Sequence, residues 1–180
     1  MQLSIDRRVW GVVLVALSVA LAGCLGGGVR EEQTPRGFSV LRVGEVGLAG
    51  QPSKQDLADL SAAGYQTVIS LRQPGEIDWN EQTAVNESGM RFGHFPMSVG
   101  SVEVGLLARI RSVIEMSPSP VLLHCGSANR AALVWGMLEA GNRSSDEIRK
   151  IAQRAGLRGS AVGVLDEYLR KHDAGEGRLR

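Results

Sequence analysis

Cysteine, net charge and long apolar runs are all scarce in this chain of 180 residues. Two cysteines are too few for a disulfide framework, or for a zinc site built on cysteine alone. A formal charge of +1 argues against a nucleic-acid binder driven by phosphate neutralisation. The three histidines, His94, His124 and His172, are too scattered to read as a metal site, and no cofactor is expected. There is no internal repeat. What is present fits one globular domain, with 43% apolar and 22% charged residues. A domain of about 150 residues buries roughly 68–70% of its unfolded surface, so no covalent staple is required.

The longest apolar run, Val9 to Ala22, follows Arg7 and Arg8. Its roughly 14 residues, at about 1.5 Å each, fall short of a bilayer core of about 30 Å. A charged start, a short apolar stretch and small residues at its end mark a secretory signal peptide. The end, Leu21-Ala22-Gly23-Cys24, resembles the bacterial lipobox. That resemblance implies a lipid on Cys24 and cleavage before it. Residues 1–23 then read as a signal peptide, 24–37 as a lipidated tether and 38–180 as the folded domain. Loss of Asp6, Arg7 and Arg8 leaves equal numbers of positive and negative side chains. Membrane attachment would therefore rest on acyl chains. The expected location is the cell envelope, facing the periplasm. Leu25 stands where an aspartate resembles an inner-membrane retention signal, which points to the outer membrane.

Beyond the tether, strand and helix signals alternate. Ser39 to Leu48 reads as one or two short strands. Ser53 with Asp56 resembles a capping box ahead of Leu57, Leu60 and Ala63. Thr67 to Leu71 is β-branched and apolar, Trp79 to Ser88 predicts a helix, and Arg91 to Pro96 a strand. Ser101 predicts a helix cap before the stripe Val102, Leu106, Ile110, Val113 and Ile114. Val121 to Leu123 is fully apolar, as buried parallel strands are. Ala131 to Ala140 is apolar almost all round and predicts a buried helix. Helices from Ser145 to Ala155 and from Ala161 to His172 complete the pattern. Such alternation predicts an α/β fold with a mainly parallel sheet covered on both faces.

The segment from His124 to Arg130 joins the apolar strand to the apolar helix. Ligands of open α/β sheets collect beyond the carboxyl ends of strands. Amides at a helix start and the helix dipole favour an anion there. Gly126, Ser127 and Ala128 are small enough to let the backbone wrap a tetrahedral anion, Asn129 adds a further amide, and Arg130 can clamp it bidentately. Helix starts and nearby cations favour the thiolate form of a cysteine, so Cys125 reads as a nucleophile against a bound oxyanion. His124 reads as a residue that orients the loop.

Gly50-Gln51-Pro52-Ser53, Ala63 to Arg72, Glu76, and His124-Cys125-Gly126-Ser127-Ala128-Asn129-Arg130 occur in that order. Together they resemble the tyrosine/dual-specificity phosphatase superfamily, above all its bacterial branch of beta-lactamase-hydrolase-like, phosphatase-like domains. The resemblance covers roughly residues 38–155. It implies a three-layer cysteine-phosphatase fold with a mainly parallel sheet of four or five strands. It implies that Cys125 attacks phosphorus, that the amides of residues 126–130 hold the phosphoryl oxygens, and that Arg130 stabilises the transition state. Arg72 and Glu76 would brace the loop.

Three features depart from that pattern. Four residues separate Cys125 from Arg130, where cysteine phosphatases have five, and the shorter ring resembles a rhodanese sulfurtransferase loop. Ala131 stands where those phosphatases carry a hydroxyl. The region Gly93 to Ser98 has no carboxylate to act as general acid, with His94 its local candidate and Asp78 and Glu81 further away. Three functions stay open: a phosphomonoester hydrolase, a sulfurtransferase through a Cys125 persulfide, and a non-catalytic anion- or partner-binding lipoprotein. The expected substrates are phosphorylated or sulfur-donor small molecules or proteins. The expected membrane contact is the lipid on Cys24, and nucleic acid is not an expected partner. Cells given labelled palmitate should incorporate it into the wild-type protein, and Cys24→Ser should abolish that label.

Overall fold

The computed structural model describes residues 28–176. The expected signal peptide and Cys24 lie outside the described residues. Among the described residues six strands form one sheet in the order β1-β2-β3-β6-β4-β5. They are β1 (Val29–Gln33), β2 (Ser39–Val43), β3 (Val46–Ala49), β4 (Thr67–Ser70), β5 (Arg91–His94) and β6 (Val121–His124). Strands β3, β6, β4 and β5 run parallel, while β1 and β2 add an antiparallel meander to one side. The expected mainly parallel sheet is present, with six strands instead of four or five.

Strand alternation splits the core in two. Leu48, Ile69, Val121 and Leu123 face the helices α3 (Val104–Met116), α4 (Asn129–Leu138), α5 (Ser145–Ala155) and α6 (Ser160–Asp173). Val40, Ala49, Val68 and Leu122 face α1 (Lys54–Ala62) and α2 (Glu81–Glu87). The successive residues Val121, Leu122 and Leu123 thus serve opposite faces, as a period of two requires. Ala131 to Leu138 of α4 are all buried, which explains their unbroken apolar character.

Local signals account for most boundaries. Ser53 and Asp56 form the reciprocal capping box at the start of α1. Asn80 caps α2 through its side chain, so that helix starts at Glu81, two residues after Trp79. Ser144 caps α5, and Gly156, at φ 115°, ends it in a backbone conformation suited to glycine.

Two expectations are corrected. Val29–Gln33, assigned from sequence to the tether, is strand β1, paired with β2 along its whole length. Its polar composition suits an edge strand, where one side meets solvent. Val29 packs on the core, and Glu32 accepts a hydrogen bond from the Tyr65 hydroxyl at 2.7 Å. Tyr65 reaches Glu32 across Gly47, where any Cβ would lie only 2.6 Å from the tyrosine oxygen. The folded domain therefore starts ahead of residue 38. Likewise Ser101 does not cap a helix. Its amide closes a tight turn onto the Ser98 carbonyl at 3.2 Å, and α3 starts later, after Glu103.

Leu133 has no exposed surface and lies in the larger core cluster. Leu133→Ala should cost about 2–5 kcal/mol of stability, read from urea unfolding midpoints.

Candidate active site

The loop from Cys125 to Arg130 starts where the parallel ladder ends. The Cys125 amide still donates to Ala49 of β3 at 3.4 Å, and the His124 carbonyl accepts from Leu71 at 2.9 Å. The chain then leaves the sheet. Gly126 and Ser127 are exposed, and Ala128 takes φ 65° and ψ −15°. That left-handed conformation costs an L-residue roughly 1–2 kcal/mol. It turns the chain directly into α4, whose first residues are Asn129 and Arg130. The amides of Asn129, Arg130 and Ala131 fall in the first helical turn, where no intrahelical acceptor exists.

Neighbouring segments hold this turn. The Gln51 amide donates to the Gly126 carbonyl at 3.4 Å, and Gly50 bridges to Ser127. On the other side a Cβ at Gly156 would lie 3.2 Å from the Ala128 Cβ. Asn129 uses its side chain structurally, accepting from the Arg158 amide at 2.9 Å. The Asn129 side-chain oxygen is thus committed to the protein, and its backbone N–H lies in the first helical turn.

Arg130 carries the densest set of contacts. Its Nη1 donates to the carbonyls of Leu71 at 3.0 Å and Met97 at 3.1 Å. Glu76 receives both terminal nitrogens, Nη1 at 3.0 Å and Nη2 at 2.6 Å. Burial works against the Arg130 charge, but the Glu76 hydrogen bond and the adjacent Cys125 outweigh it and raise its pKa further. In return the hydrogen bond from Arg130 holds the Glu76 carboxyl below the usual range. Arg72 adds to the cluster, with Nε 3.4 Å from Glu76 and Nη2 donating to the Glu76 carbonyl. Both guanidinium groups lie over Gly126. A Cβ there would sit 3.6 Å from Arg72 Nη1 and 3.8 Å from Arg130 Nη2. Arg72 and Glu76 thus lie against the loop and Arg130.

His94 is not at the loop. Its Nε2 donates to the Arg72 carbonyl at 2.8 Å, and its ring stacks on Phe92. Its position supports the Arg72 segment, two strands away from β6. Asp78 is exposed. Glu81 is buried behind the loop, where Oε1 lies 3.3 Å from His124 Nε2. His124 itself has no exposed surface. Burial pushes its pKa down to about 4, against an opposing pull from Glu81, so its imidazole is neutral at pH 7.

Sequence reasoning placed Glu81 among remote acids and gave Gln51 no role. The signal for Glu81 was its spacing. It stands three and four residues before Ala84 and Val85, which are buried on the same face of α2.

Residues 41–142, more than half the chain, match the family described as beta-lactamase hydrolase-like protein, phosphatase-like domain. A beta-lactamase hydrolase-like protein of Xylella fastidiosa is 26% identical over 129 residues, 67% of this chain and 30% of that protein. The chain spans between a quarter and three-tenths of the length of the curated relatives it matches. A candidate phosphatase of Neisseria meningitidis has a similar fold, with a TM-score of 0.61 and 24% identity over 69% of this chain and 93% of that one. TpbA of P. aeruginosa superposes with a TM-score of 0.60 at 18% identity, covering 76% of this chain and 88% of that one.

Free His124 takes up a proton near pH 6.5. Folded His124 does so only near pH 4. Between these values the unfolded chain binds more protons, so stability should fall as pH drops through that window. His124→Asn should flatten the fall, as read from urea midpoints across pH 4–7.

Proposed function

The chain belongs to the family of the beta-lactamase hydrolase-like protein's phosphatase-like domain, and from that membership we propose that it is a cysteine-dependent hydrolase of phosphomonoesters. The observation that carries this reading is the fork of Arg130. Glu76 takes its Nη1–Nη2 edge. Among the described residues Nε bonds no carbonyl or carboxylate, so the Nε–Nη2 edge can meet a bidentate anion. That edge belongs to a residue next to Cys125, in the first turn of a buried helix.

The reaction then runs in two displacements. The Cys125 thiolate attacks phosphorus, a sulfur–phosphorus bond forms, and the bond to the leaving oxygen breaks. The leaving oxygen keeps the electron pair. Arg130 and the amides of residues 126–130 stabilise charge on the three phosphoryl oxygens. Water next attacks the phosphocysteine, phosphate departs, and the thiolate is restored.

Protonation of the leaving oxygen is the step with least support from the side chains. Glu76 is held ionised by Arg130, His94 is tied to Arg72, and Glu81 is buried behind the loop. Substrates whose leaving oxygen needs no proton, such as aryl phosphates, are therefore favoured over alkyl phosphates.

The same features favour a second reading. Four residues separate Cys125 from Arg130, and sulfur transfer from thiosulfate needs no general acid. The Cys125 thiolate would attack the outer sulfur, a new S–S bond would form, and sulfite would leave with its electron pair. An acceptor thiol would then take the sulfur. In either case the leader sequence supports action at the cell envelope, with the domain anchored by lipid on Cys24.

Aryl phosphate turnover should be lost in Cys125→Ser and fall by about 10²–10³ in kcat for Arg130→Ala. Retention of turnover by Cys125→Ser would contradict the hydrolase. Transfer of sulfur from thiosulfate, with no phosphate release, would select the second reading.

A further inference from the structure

Behind the loop lies a set of polar groups that the proposed chemistry does not use. Glu81, the first residue of α2, is 6% exposed, and His124 is 0% exposed. Gln51 reaches the same place from the segment after β3. Its side-chain amide donates to Glu81 Oε1 at 2.5 Å, while its backbone amide holds the Gly126 carbonyl. Three segments distant in sequence thus meet at one carboxylate oxygen.

The imidazole of His124 is the unresolved member of this set. Among the described residues neither ring nitrogen has an aligned hydrogen-bond partner, and both are buried. A buried polar nitrogen without a partner costs about 1–3 kcal/mol. Glu81 Oε1 stands 3.3 Å from Nε2, close enough for a small ring rotation to align the pair. An ionised carboxylate only accepts hydrogen bonds, so it selects the tautomer with the proton on Nε2. The other charged groups acting on His124 are Arg72, before α2, and Arg130, on α4. Both are cations, so neither competes with Glu81 for an imidazole proton; the backbone carbonyl of Cys125 also attracts one, and Glu81 must outweigh it.

We infer that Glu81, held by Gln51, is a positioning residue for Cys125: it fixes the Nε2–H tautomer and ring orientation of His124, the residue that precedes the nucleophile. The burial of His124 keeps the ring neutral, so the tautomer is a real choice at pH 7. Glu81 acts through His124 and touches no reacting atom. This inference rests on the reading of Cys125 as the nucleophile.

The test needs no turnover, so its failure is distinct from failure of the hydrolase reading. Full-length protein labelled with ¹⁵N at histidine should show, at pH 7, a pyrrole-like Nε2 and a pyridine-like Nδ1 for His124. In Glu81→Gln that preference should weaken, since an amide can donate as well as accept. The same variant should alkylate with iodoacetamide at a changed rate at fixed pH, because the ring next to Cys125 is no longer held. A wild-type His124 protonated on Nδ1, or an unchanged alkylation rate in a folded Glu81→Gln, would overturn the inference. Should Glu81→Gln fail to fold, the wild-type tautomer alone decides.

Discussion

The pairing of Arg130 with Glu76 is the interaction on which the site depends. Both terminal nitrogens of Arg130 meet the two oxygens of Glu76, and the same guanidinium reaches the carbonyls of Leu71 and Met97. One side chain therefore ties the start of α4 to the segment after β4 and the segment after β5. Such a pair would contribute little at an open surface, where ion pairs are worth about 0–1 kcal/mol. Here its value is positional. It fixes the arginine plane, commits one edge to protein, and presents the other toward Cys125. Arg72, bound to the same carboxylate, keeps a second cation over Gly126.

This arrangement was partly legible before any coordinates. The apolar runs Val121 to Leu123 and Ala131 to Leu138 can only be buried, so the polar residues between them must emerge where a parallel strand meets a helix. Cys125 and Arg130 are consequences of that local pattern. The Ser53 capping box and the glycine that ends α5 are likewise local, and their physics acts over a few residues.

The rest was hidden because it depends on contacts between distant segments. Strand β1 is too polar to be read as a strand, and it is stabilised by pairing with β2 and by Tyr65, 33 residues from Glu32. Ala128 adopts a left-handed conformation that its identity does not announce, since neighbouring segments enforce it. Gln51 and Glu81 meet beneath the loop although 30 residues apart, and neither spacing nor charge links them. His94 looked like a local acid because it is near in sequence to the expected position. The sheet instead sends it toward Arg72. In each case the fold, through strand order, decided the role that residue type alone left open.

The central claim is that a phosphoryl group passes through Cys125. The direct measurement is mass spectrometry of protein quenched in acid during aryl phosphate turnover. The account predicts one phosphoryl group on the peptide containing Cys125 and none in Cys125→Ser. A phosphoryl group on a different residue, or steady turnover with Cys125 never modified, would contradict it.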